Sequence, residues 1–363
     1  MSLKNKSDLS PKLVIATKLA LVVLLLSVFG LFIYFFQPSW FKFNFNKIEA
    51  TTDNTSSQNL ATTTETTVCS DCVRRQLDGV LVKPEQAKLR PYAVMIDNFS
   101  SARPQFGLSA ASLVYEAPAE GGITRYLAVF SADQAPSQIG PIRSARAYFL
   151  NWAKELGATY VHVGGSPEAL DLAKNLGKSD LNEFFNGSYF WRSTERSAPH
   201  NVLISGDNLN KYRLDKNESG ADLNPWQFKD VASSTVVNAP QINIKYTEGY
   251  NVYWQYQEVD HNYYRYLDNK AHLDASGASI TAKNIIVHLT SFKVTDDKLR
   301  LDMSTALSGQ ALLCQDGVCQ MGNWKKNSSS ERAKYYYKNG DEFVFNTGTT
   351  WIEVNDNLQN IKY

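Results

Sequence analysis

The hydrophobic positions of this chain follow three patterns, one after another. Residues 19–36 form an almost unbroken apolar run. Further along, short apolar stretches that end at polar or glycine residues alternate with a few runs of helical spacing. After Trp226 the pattern changes to short alternating strands separated by turn residues. We therefore predict an α+β fold: an α/β-like mixed sheet with helices in a first domain at 77–225, followed by a mostly antiparallel β domain at 226–363.

The first predicted domain places polar groups at the ends of its strands. A strand at 92–96 leads into Asp97-Asn98, and ligands of α/β sheets gather at the carboxyl ends of strands. A later strand carries His162 and ends in a glycine turn. After that turn we expect Ser166 to cap a helix that Pro167 opens.

The segment 140–146 reads Gly-Pro-Ile-Arg-Ser-Ala-Arg and carries the most distinctive chemistry. Pro141 suits the first turn of a helix, and the run that follows has helical spacing. Arg143 and Arg146 are three residues apart and would then share one face of that turn. Because the helix dipole is already positive there, two cations indicate an anionic group between them, either a carboxylate of the protein or an external ligand.

The amino-terminal apolar run predicts how the protein meets the membrane. It is long enough to span a bilayer, and it is preceded by Lys4, Lys6, Lys12 and Lys18. Residues 1–18 are therefore predicted to be a cytoplasmic tail, with the bulk of the chain outside the cytoplasm. A cleaved signal peptide is the alternative, but the run is long for one and no clear cleavage site follows it. We predict a single-pass anchor at 19–36 in the cell membrane and a flexible linker at 37–76.

The four cysteines form two close pairs, Cys69 with Cys72 and Cys314 with Cys319. No histidine accompanies either pair, so neither a metal nor a cofactor is predicted. Each pair is more simply a local disulfide in an oxidising compartment. Asp316-Gly317 is a hairpin-turn signal that would bring Cys314 and Cys319 opposite each other. A redox-active role for the first pair would need a thioredoxin-like fold, which the sequence does not predict.

Composition excludes one class of partner and leaves another open. The 363 residues carry a formal net charge of +1, so no nucleic-acid partner is predicted. Aromatic residues make up 12% of the chain, and such side chains either pack in sheets or stack against sugar rings. Core packing is the commoner use of an aromatic residue, so composition alone does not predict a sugar site.

Ten polar residues of the first domain form the candidate ligand-binding set: Asp97, Asn98, Glu116, Glu120, Arg125, Arg143, Arg146, His162, Ser166 and His200. As chemistry, carboxylates near arginines and a histidine could bind an anionic or glycan substrate, with or without converting it. As structure, a glutamate of this set pairs with one of the arginines and fastens the predicted helix to the sheet. A buried pair of that kind is weak support for function.

Several motifs resemble, in order, those of a known family. They are Met95-Ile96-Asp97-Asn98, Arg103-Pro104-Gln105, Glu120-Gly121-Gly122-Ile123-Thr124-Arg125, Ile139-Gly140-Pro141-Ile142-Arg143-Ser144-Ala145-Arg146, His162-Val163-Gly164-Gly165-Ser166, Pro199-His200-Asn201, Trp324-Lys325-Lys326 and Gly348-Thr349-Thr350-Trp351-Ile352. Over about residues 80–355 the chain is similar to the YerB-like lipoprotein family. That resemblance implies a two-part domain of unknown function in a bacterial envelope. Family members commonly resemble lipoproteins with an acylated cysteine, whereas an apolar run takes the place of the lipid here.

Three hypotheses for function follow, and whether the protein is an enzyme stays open. The first is a membrane-anchored, extracytoplasmic binding module for an anionic or glycan cell-envelope component. The second is a cell-wall hydrolase or transferase that uses Glu120 or Asp97 as acid or base and the arginines as an anion clamp. The third is a scaffold for membrane proteins, whose identity the sequence does not indicate. The sequence contains no nucleophile elbow, zinc signature or Ser-x-x-Lys motif at a helix start, which favours binding.

Overall fold

A computed structural model describes residues 69–230, 236–305, 307–328 and 330–363. The predicted tail and anchor at 1–36 and most of the predicted linker at 37–76 lie outside these residues. Within the described ranges, no helix is long and apolar enough to cross a bilayer.

The first half of the described chain mixes strands with helices. Its strands are β1 (Val73–Arg74), β2 (Leu81–Val82), β3 (Tyr92–Asp97), β4 (Leu113–Pro118), β5 (Thr124–Phe130), β6 (Thr159–His162), β7 (Asp180–Asn182), β8 (Phe190–Arg192) and β9 (Val202–Ile204). Its α-helices are α1 (Ala147–Glu155), α2 (Pro167–Ala173), α3 (Glu183–Asn186) and α4 (Gly206–Asp215).

The second half consists mainly of strands. They are β10 (Phe228–Lys229), β11 (Gln241–Thr247), β12 (Tyr250–Gln257), β13 (Asn262–Leu267), β14 (Lys270–Ala271), β15 (Thr281–Ala282), β16 (Asn284–Leu289), β17 (Phe292–Val294), β18 (Leu301–Met303), β19 (Ser308–Gln315), β20 (Val318–Lys325), β21 (Lys334–Tyr337), β22 (Phe345–Asn346), β23 (Thr350–Asn355) and β24 (Ile361–Lys362).

A ten-stranded sheet runs through both halves, in the order β21-β20-β19-β16-β23-β4-β5-β3-β6-β7. Strands β3, β6 and β7 are parallel to one another, as are β4, β23 and β16, whereas β5 is antiparallel to both β3 and β4. The sheet is therefore mixed, as predicted. Its centre is the parallel pairing of β4 with β23, so the boundary near residue 226 divides the sequence but not this sheet.

A smaller antiparallel sheet covers one face of the large sheet. Its order is β14-β13-β12-β11-β24, with β15 beside β13. Alternation along β3 explains the layers, because successive side chains of a strand point to opposite faces. Val94 shares a core with Trp254 of the smaller sheet, whereas Met95 shares a core with Phe149 of α1. The antiparallel strands of this second sheet confirm the predicted β-rich part.

The predicted helix start at Pro141 is wrong, because α1 begins at Ala147 and Arg146 only precedes it. The Asp97 N–H donates to the Pro141 carbonyl over 2.9 Å, and the Arg143 N–H donates to the Met95 carbonyl over 2.9 Å. These bonds hold the segment against β3, so its backbone groups are not free to form a helical turn. Arg143 and Arg146 therefore do not share the first turn of a helix.

Gly140 shows why this segment lies so close to its neighbours. Its φ of 142° is one that side-chain-bearing residues rarely adopt. A Cβ placed on Gly140 would lie 2.8 Å from both the Val202 carbonyl oxygen and Leu203 Cδ2. The same carbonyl binds the segment two residues later, because the Ile142 N–H donates to the Val202 carbonyl over 2.8 Å. The segment is thus enclosed between β3 and β9.

Three local predictions are confirmed. The Ser166 hydroxyl accepts from the Ala169 N–H over 3.3 Å at the start of α2, with Pro167 as the first helical residue. Cys314 and Cys319 lie opposite each other on β19 and β20 and form a disulfide, and Cys69 and Cys72 form a second one.

Candidate functional site

Polar residues collect at one edge of the large sheet and divide between its two faces. Strands β3, β4 and β23 point the same way, so their carboxyl ends meet at this edge. Glu116 of β4 and Glu353 of β23 face the second sheet, on the side of Val114 and Trp351. Asp97 of β3 and its register partner Arg125 of β5 lie in alternation with those core positions, on the α1 side. Two charged clusters result.

The cluster that faces the second sheet, which we term the closed cluster, is built around Glu116, Glu353 and Arg265. All three side chains are fully buried. The Arg265 guanidinium donates to Glu116 Oε2, and Arg265 Nε lies 3.9 Å from Glu353 Oε1. The hydroxyls of Tyr250 and Thr124 donate to Glu116 Oε1 over 2.7 and 2.6 Å. Both carboxylates therefore interact with polar groups of the protein itself.

Burial and neighbouring charges shift the pKa values of Glu353 and Arg265 in the closed cluster. Burial and the negative charge of Glu116 raise the pKa of Glu353 to about 8. Glu353 nevertheless accepts from Trp254 Nε1 over 2.7 Å and from the Tyr246 hydroxyl over 2.6 Å. Burial alone would lower the pKa of Arg265, but Glu116, Tyr126, Tyr250 and Glu353 together outweigh it and raise that pKa well above its usual value. Arg265 is therefore charged at every physiological pH.

His272 extends the closed cluster towards the loop after β3. Arg265 Nη1 can only donate, so it donates to His272 Nδ1 over 2.7 Å, and His272 Nε2 donates to Gln105 Oε1 over 3.0 Å. Burial and the charge of Arg265 hold the pKa of His272 well below its usual range, so the ring is neutral. Gln105 in turn donates to Asn98 Oδ1 over 3.2 Å. The closed cluster thus binds the two sheets to each other.

The cluster on the α1 side, which we term the open cluster, consists of Asp97, Glu120, Arg125, Arg143, Arg146 and His200. Glu120 joins two of its arginines: Arg125 Nη2 donates to Oε2 over 3.1 Å, and Arg146 Nε donates to Oε1. Backbone carbonyls of Ser144 and Ala145 accept further bonds from Arg125 and Arg146 over 3.1 and 2.6 Å. Arg125 and Arg146 are therefore held in fixed orientations.

Asp97 organises the other half of the open cluster. Its Oδ2 lies 2.6 Å from His200 Nδ1 and 3.1 Å from Arg143 Nε, and its Oδ1 accepts from the Phe99 N–H over 3.0 Å. The Phe99 ring stacks on His200 with centroids 5.1 Å apart. Within the described part of the chain, the Arg143 guanidinium donates no geometrically sound hydrogen bond, and the side chain is 23% exposed. Arg143 thus presents donors to the outside.

The open cluster carries a surplus of positive charge. Its three arginines face two carboxylates, Asp97 and Glu120. Burial alone would raise the pKa of Glu120, but the hydrogen bond from Arg146 and the charges of both its arginines lower it. Burial and then the charge of Arg146 lower the pKa of Arg125 to about 10, so it is still a cation at neutral pH. Guanidinium groups in such a setting suit bidentate recognition of carboxylate or phosphate.

Comparison with known proteins decides the family. YerB of Bacillus subtilis (strain 168), which is named as a lipoprotein, is 31% identical over 290 residues, covering 78% of this chain and 86% of YerB. The crystal structure of the Bacillus subtilis YerB protein matches with a TM-score of 0.73 and 30% identity, over 80% of this chain and 99% of that chain. The chain belongs to the YerB family. Its two parts match the N-terminal and C-terminal domains of a protein of unknown function (DUF3048), at residues 77–220 and 242–352.

Four of the eight motifs that suggested the YerB family converge on the open cluster. Asp97, Glu120 and Arg143 come from three separate motifs, and His200 comes from a fourth. The fold brings them together because the segment 140–146 lies between β3 and β9, and His200 comes two residues before β9. Sequence order alone did not show which carboxylate would meet which arginine.

Two predicted site residues of this YerB-family chain have other roles. His162 is fully buried, with Nε2 2.7 Å from Asp180 Oδ1 and Nδ1 2.7 Å from the Gly164 carbonyl oxygen. Ser166 uses its hydroxyl to cap α2. Asn98 and Glu116 belong to the closed cluster, so neither they nor His162 and Ser166 present free groups to a ligand. Among the described residues, no three His, Cys, Asp or Glu side chains are placed to hold a metal ion.

Sequence reasoning missed the residues that the second half contributes. Arg265 alternates with Tyr263 and Leu267 at the buried positions of β13. A charged residue at an inward position of an alternating strand was therefore a readable signal of a buried ion pair. Glu353 lies in β23, where all six residues are buried, so a charged residue there indicates a buried partner as well. The partner, Glu116, lies 149 residues before Arg265, and no local pattern could have identified it.

Proposed function

We propose that this protein is a membrane-attached, extracytoplasmic binding module that holds an anionic component of the cell envelope, a carboxylate- or phosphate-bearing glycan, at the open cluster. The observation that carries the proposal is the state of Arg143. Its guanidinium is partly exposed and donates no sound hydrogen bond within the described chain, although its Nε lies 3.1 Å from Asp97 Oδ2, which also pairs with His200.

The neighbouring arginines support the same role. Glu120 holds Arg125 and Arg146 in place, so their positive charge is directed without the ordering that free side chains would need. Their side chains are 10% and 12% exposed. Their charge therefore acts on the surface near Arg143, although the side chains themselves stay within the protein. An anion that reaches Arg143 would therefore meet a prearranged positive patch.

Attachment to the membrane has two supports. The relative YerB is named as a lipoprotein, and the apolar run at 19–36 predicts a single-pass anchor for this chain. Either kind of anchor would hold the part of the chain that the structure describes on the outer side of the membrane.

The test compares Arg143→Gln with a matched control. Arg300 is 27% exposed and pairs with Asp296 at 2.5 Å, so Arg300→Gln removes a similar charge from a similar ion pair away from the site. Full-length chains in detergent are incubated with insoluble peptidoglycan, with the same material carrying teichoic acid, and with neutral chitin. We expect wild type and Arg300→Gln to be retained on an anionic material, and Arg143→Gln to bind about tenfold more weakly, which corresponds to ~1.4 kcal/mol.

Two outcomes would contradict the binding role. In one, Arg143→Gln is retained as strongly as wild type. In the other, wild type is retained on none of the materials. If wild type were retained on neutral chitin and on neither anionic material, the proposed ligand would not be anionic, and that outcome would contradict the proposal too.

A cell-wall hydrolase or transferase is the second candidate, and one pair favours it. Asp97 Oδ2 lies 2.6 Å from His200 Nδ1, so Asp97 orients a partly exposed imidazole in the way that a carboxylate orients a general base. Mass spectrometry of peptidoglycan incubated with wild type and with His200→Gln would separate the candidates. New products from wild type alone would establish catalysis, and unchanged material beside an active control enzyme would leave binding.

A further inference from the structure

The outward face of the second sheet has an unusual composition. Along β11, β12 and β13 the inward residues are buried and the outward residues are half-exposed. The outward positions hold one charged residue, Lys245, whereas charged residues are common on a solvated face. The other outward positions hold three tyrosines and six side-chain amides: Tyr253, Tyr264, Tyr266, Gln241, Asn243, Asn251, Gln255, Gln257 and Asn262.

The register places these residues in rows across the sheet. Asn243 lies opposite Tyr253, which lies opposite Tyr266. The rings of Tyr253 and Tyr266 stack with centroids 4.5 Å apart and an interplanar angle of 4°. The stack fixes the orientation of Tyr253 before any ligand arrives.

A groove of about 800 Å³ opens beside Tyr253. Its walls come from β11, β12, the turn after β13 and the carboxyl-terminal segment, and its lining includes Asn243, Asn251, Tyr253, Asn269 and Gln359. Its volume lies within the ~300–1,000 Å³ that small-molecule sites occupy. The groove can therefore hold more than one sugar ring.

The polar groups of the groove are available for binding. In the described part of the chain, the side-chain amides of Asn251, Asn269 and Gln359 and the hydroxyl of Tyr253 form no hydrogen bond. An amide side chain donates and accepts at one site, which matches the hydroxyl and acetamido groups of a sugar. No described residue occupies these groups, so all of them are free to bind a ligand.

The charges of the groove nearly cancel. Lys245 and Lys362 line it together with Asp268, and Lys245 pairs with Glu248 at 2.9 Å. The lining carries two cations and one anion, and Glu248, which lies outside the lining, neutralises Lys245, in contrast with the uncompensated surplus of the open cluster. A neutral ligand suits this groove better than an anionic one.

We propose that this groove binds the neutral sugar units of a polysaccharide, independently of the anion site at the open cluster. The apolar C–H face of a pyranose packs on the ring of Tyr253, and the amides of Asn251, Asn269 and Gln359 exchange hydrogen bonds with its hydroxyl or acetamido groups. The two large aliphatic residues of its lining, Ile244 and Val252, are already buried, so the groove offers a second protein copy little aliphatic surface to bury, which favours a glycan as its occupant.

The experiment uses full-length chain in detergent and a hexamer of N-acetylglucosamine as the probe, with affinity measured by isothermal titration calorimetry. We expect Tyr253→Ala to raise Kd at least tenfold and Asn251→Ala to raise it about threefold. Tyr264→Ala is the matched control, because Tyr264 lies on the same face outside the groove and its hydroxyl donates to Asp260 over 2.7 Å. We expect that control, and Arg143→Gln at the open cluster, to bind the hexamer as wild type does.

Circular dichroism melting checks that each variant is folded. Asn251 is exposed and makes no side-chain hydrogen bond in the described chain, so Asn251→Ala tests the groove even if Tyr253→Ala unfolds. Wild type that does not bind the hexamer at millimolar concentration would overturn the proposal. Folded variants of Tyr253 and Asn251 that both bind the hexamer like wild type would also overturn it. So would a wild-type dimer that binds no sugar and that Tyr253→Ala dissociates.

Discussion

The closed and open clusters lie at the same edge of one sheet and use the same kinds of residue, yet they differ in what is left unsatisfied. In the closed cluster, Arg265 and both its glutamates are fully buried, and hydroxyl, indole and guanidinium groups donate hydrogen bonds to the carboxylates. In the open cluster the ion pairs are partly exposed, and Arg143 has donors to spare. Arg265 Nε also lacks a hydrogen bond, but both terminal nitrogens of Arg265 donate to protein groups, whereas those of Arg143 donate to none within the described chain. Exposure and free guanidinium donors, rather than charge, therefore distinguish an ion pair that holds the fold from one that could hold a ligand.

The largest expected effect comes from removing the cation of the closed cluster. Arg265→Met leaves Glu116 and Glu353 buried without their positive partner, and we expect the free energy of unfolding to fall by about 3–5 kcal/mol. Urea unfolding followed by tryptophan fluorescence measures the change. The double variant Arg265→Met with Glu116→Gln should recover part of the loss, because the unpaired charge of Glu116 is then removed. A loss below about 1 kcal/mol, as for a surface pair, would contradict the distinction between the clusters.

An intermediate effect is expected in the pH dependence of stability. The pKa of Glu353 is raised to about 8 in the folded protein, while an unfolded glutamate titrates near 4.5. The folded state therefore binds the extra proton between these values, and its stability should fall as pH rises from about 5 through 8. Glu353→Gln imitates the protonated form, and the Tyr246 hydroxyl can turn to accept from the new amide.

The measurement is urea unfolding of wild type and Glu353→Gln at pH 5.5 and pH 8.5. Wild type should lose about 2 kcal/mol more than the variant over this interval, a cautious fraction of the shift because Arg265 moderates the charge of Glu353. The comparison with Glu353→Gln is needed because burial also raises the pKa of Glu155, to about 7. Parallel pH profiles for the two proteins would show that Glu353 is ionised in the folded state.

The smallest effect on stability is expected in the open cluster. Arg143→Gln removes a partly exposed ion pair, so the free energy of unfolding should change by less than about 1 kcal/mol, close to the change for Arg300→Gln. Thermal melting of the two variants beside wild type checks this. A much larger loss for Arg143→Gln alone would mean that Arg143 locks Asp97 to the extended segment, and the open cluster would then be structural like the closed one.

Local patterns predicted much of the fold and part of the site. The strand that ends at Asp97, the cap at Ser166 and the hairpin at Asp316-Gly317 depend on neighbours in sequence, and the structure confirms each of them. The helix start at Pro141 depended on helical spacing alone. It failed because Met95 and Val202 supply hydrogen bonds to that segment from elsewhere in the chain.

The candidate site shows the same limit. The anion between the arginines was expected from charge and dipole, and the structure supplies two carboxylates, Asp97 and Glu120, with a different backbone beneath the arginines. Glu116 was included among the ligand residues because nothing in its own strand shows that Arg265 lies against it. Alternation along β4 and β5 does place Glu116 and Arg125 on opposite faces, so the division into two clusters was within reach of the sequence.

Sequence by itself determined where strands form, which of their faces are buried and which cysteines pair, because these depend on side-chain alternation and turn chemistry over a few residues. It also indicated the family, through motifs in a shared order. Only the tertiary structure decided which charges meet and which remain open, because Glu116 and Arg265 come from strands of two different sheets and Asp97 reaches His200 103 residues away. Partners at such separations are set by how the layers pack, and no local propensity encodes that packing.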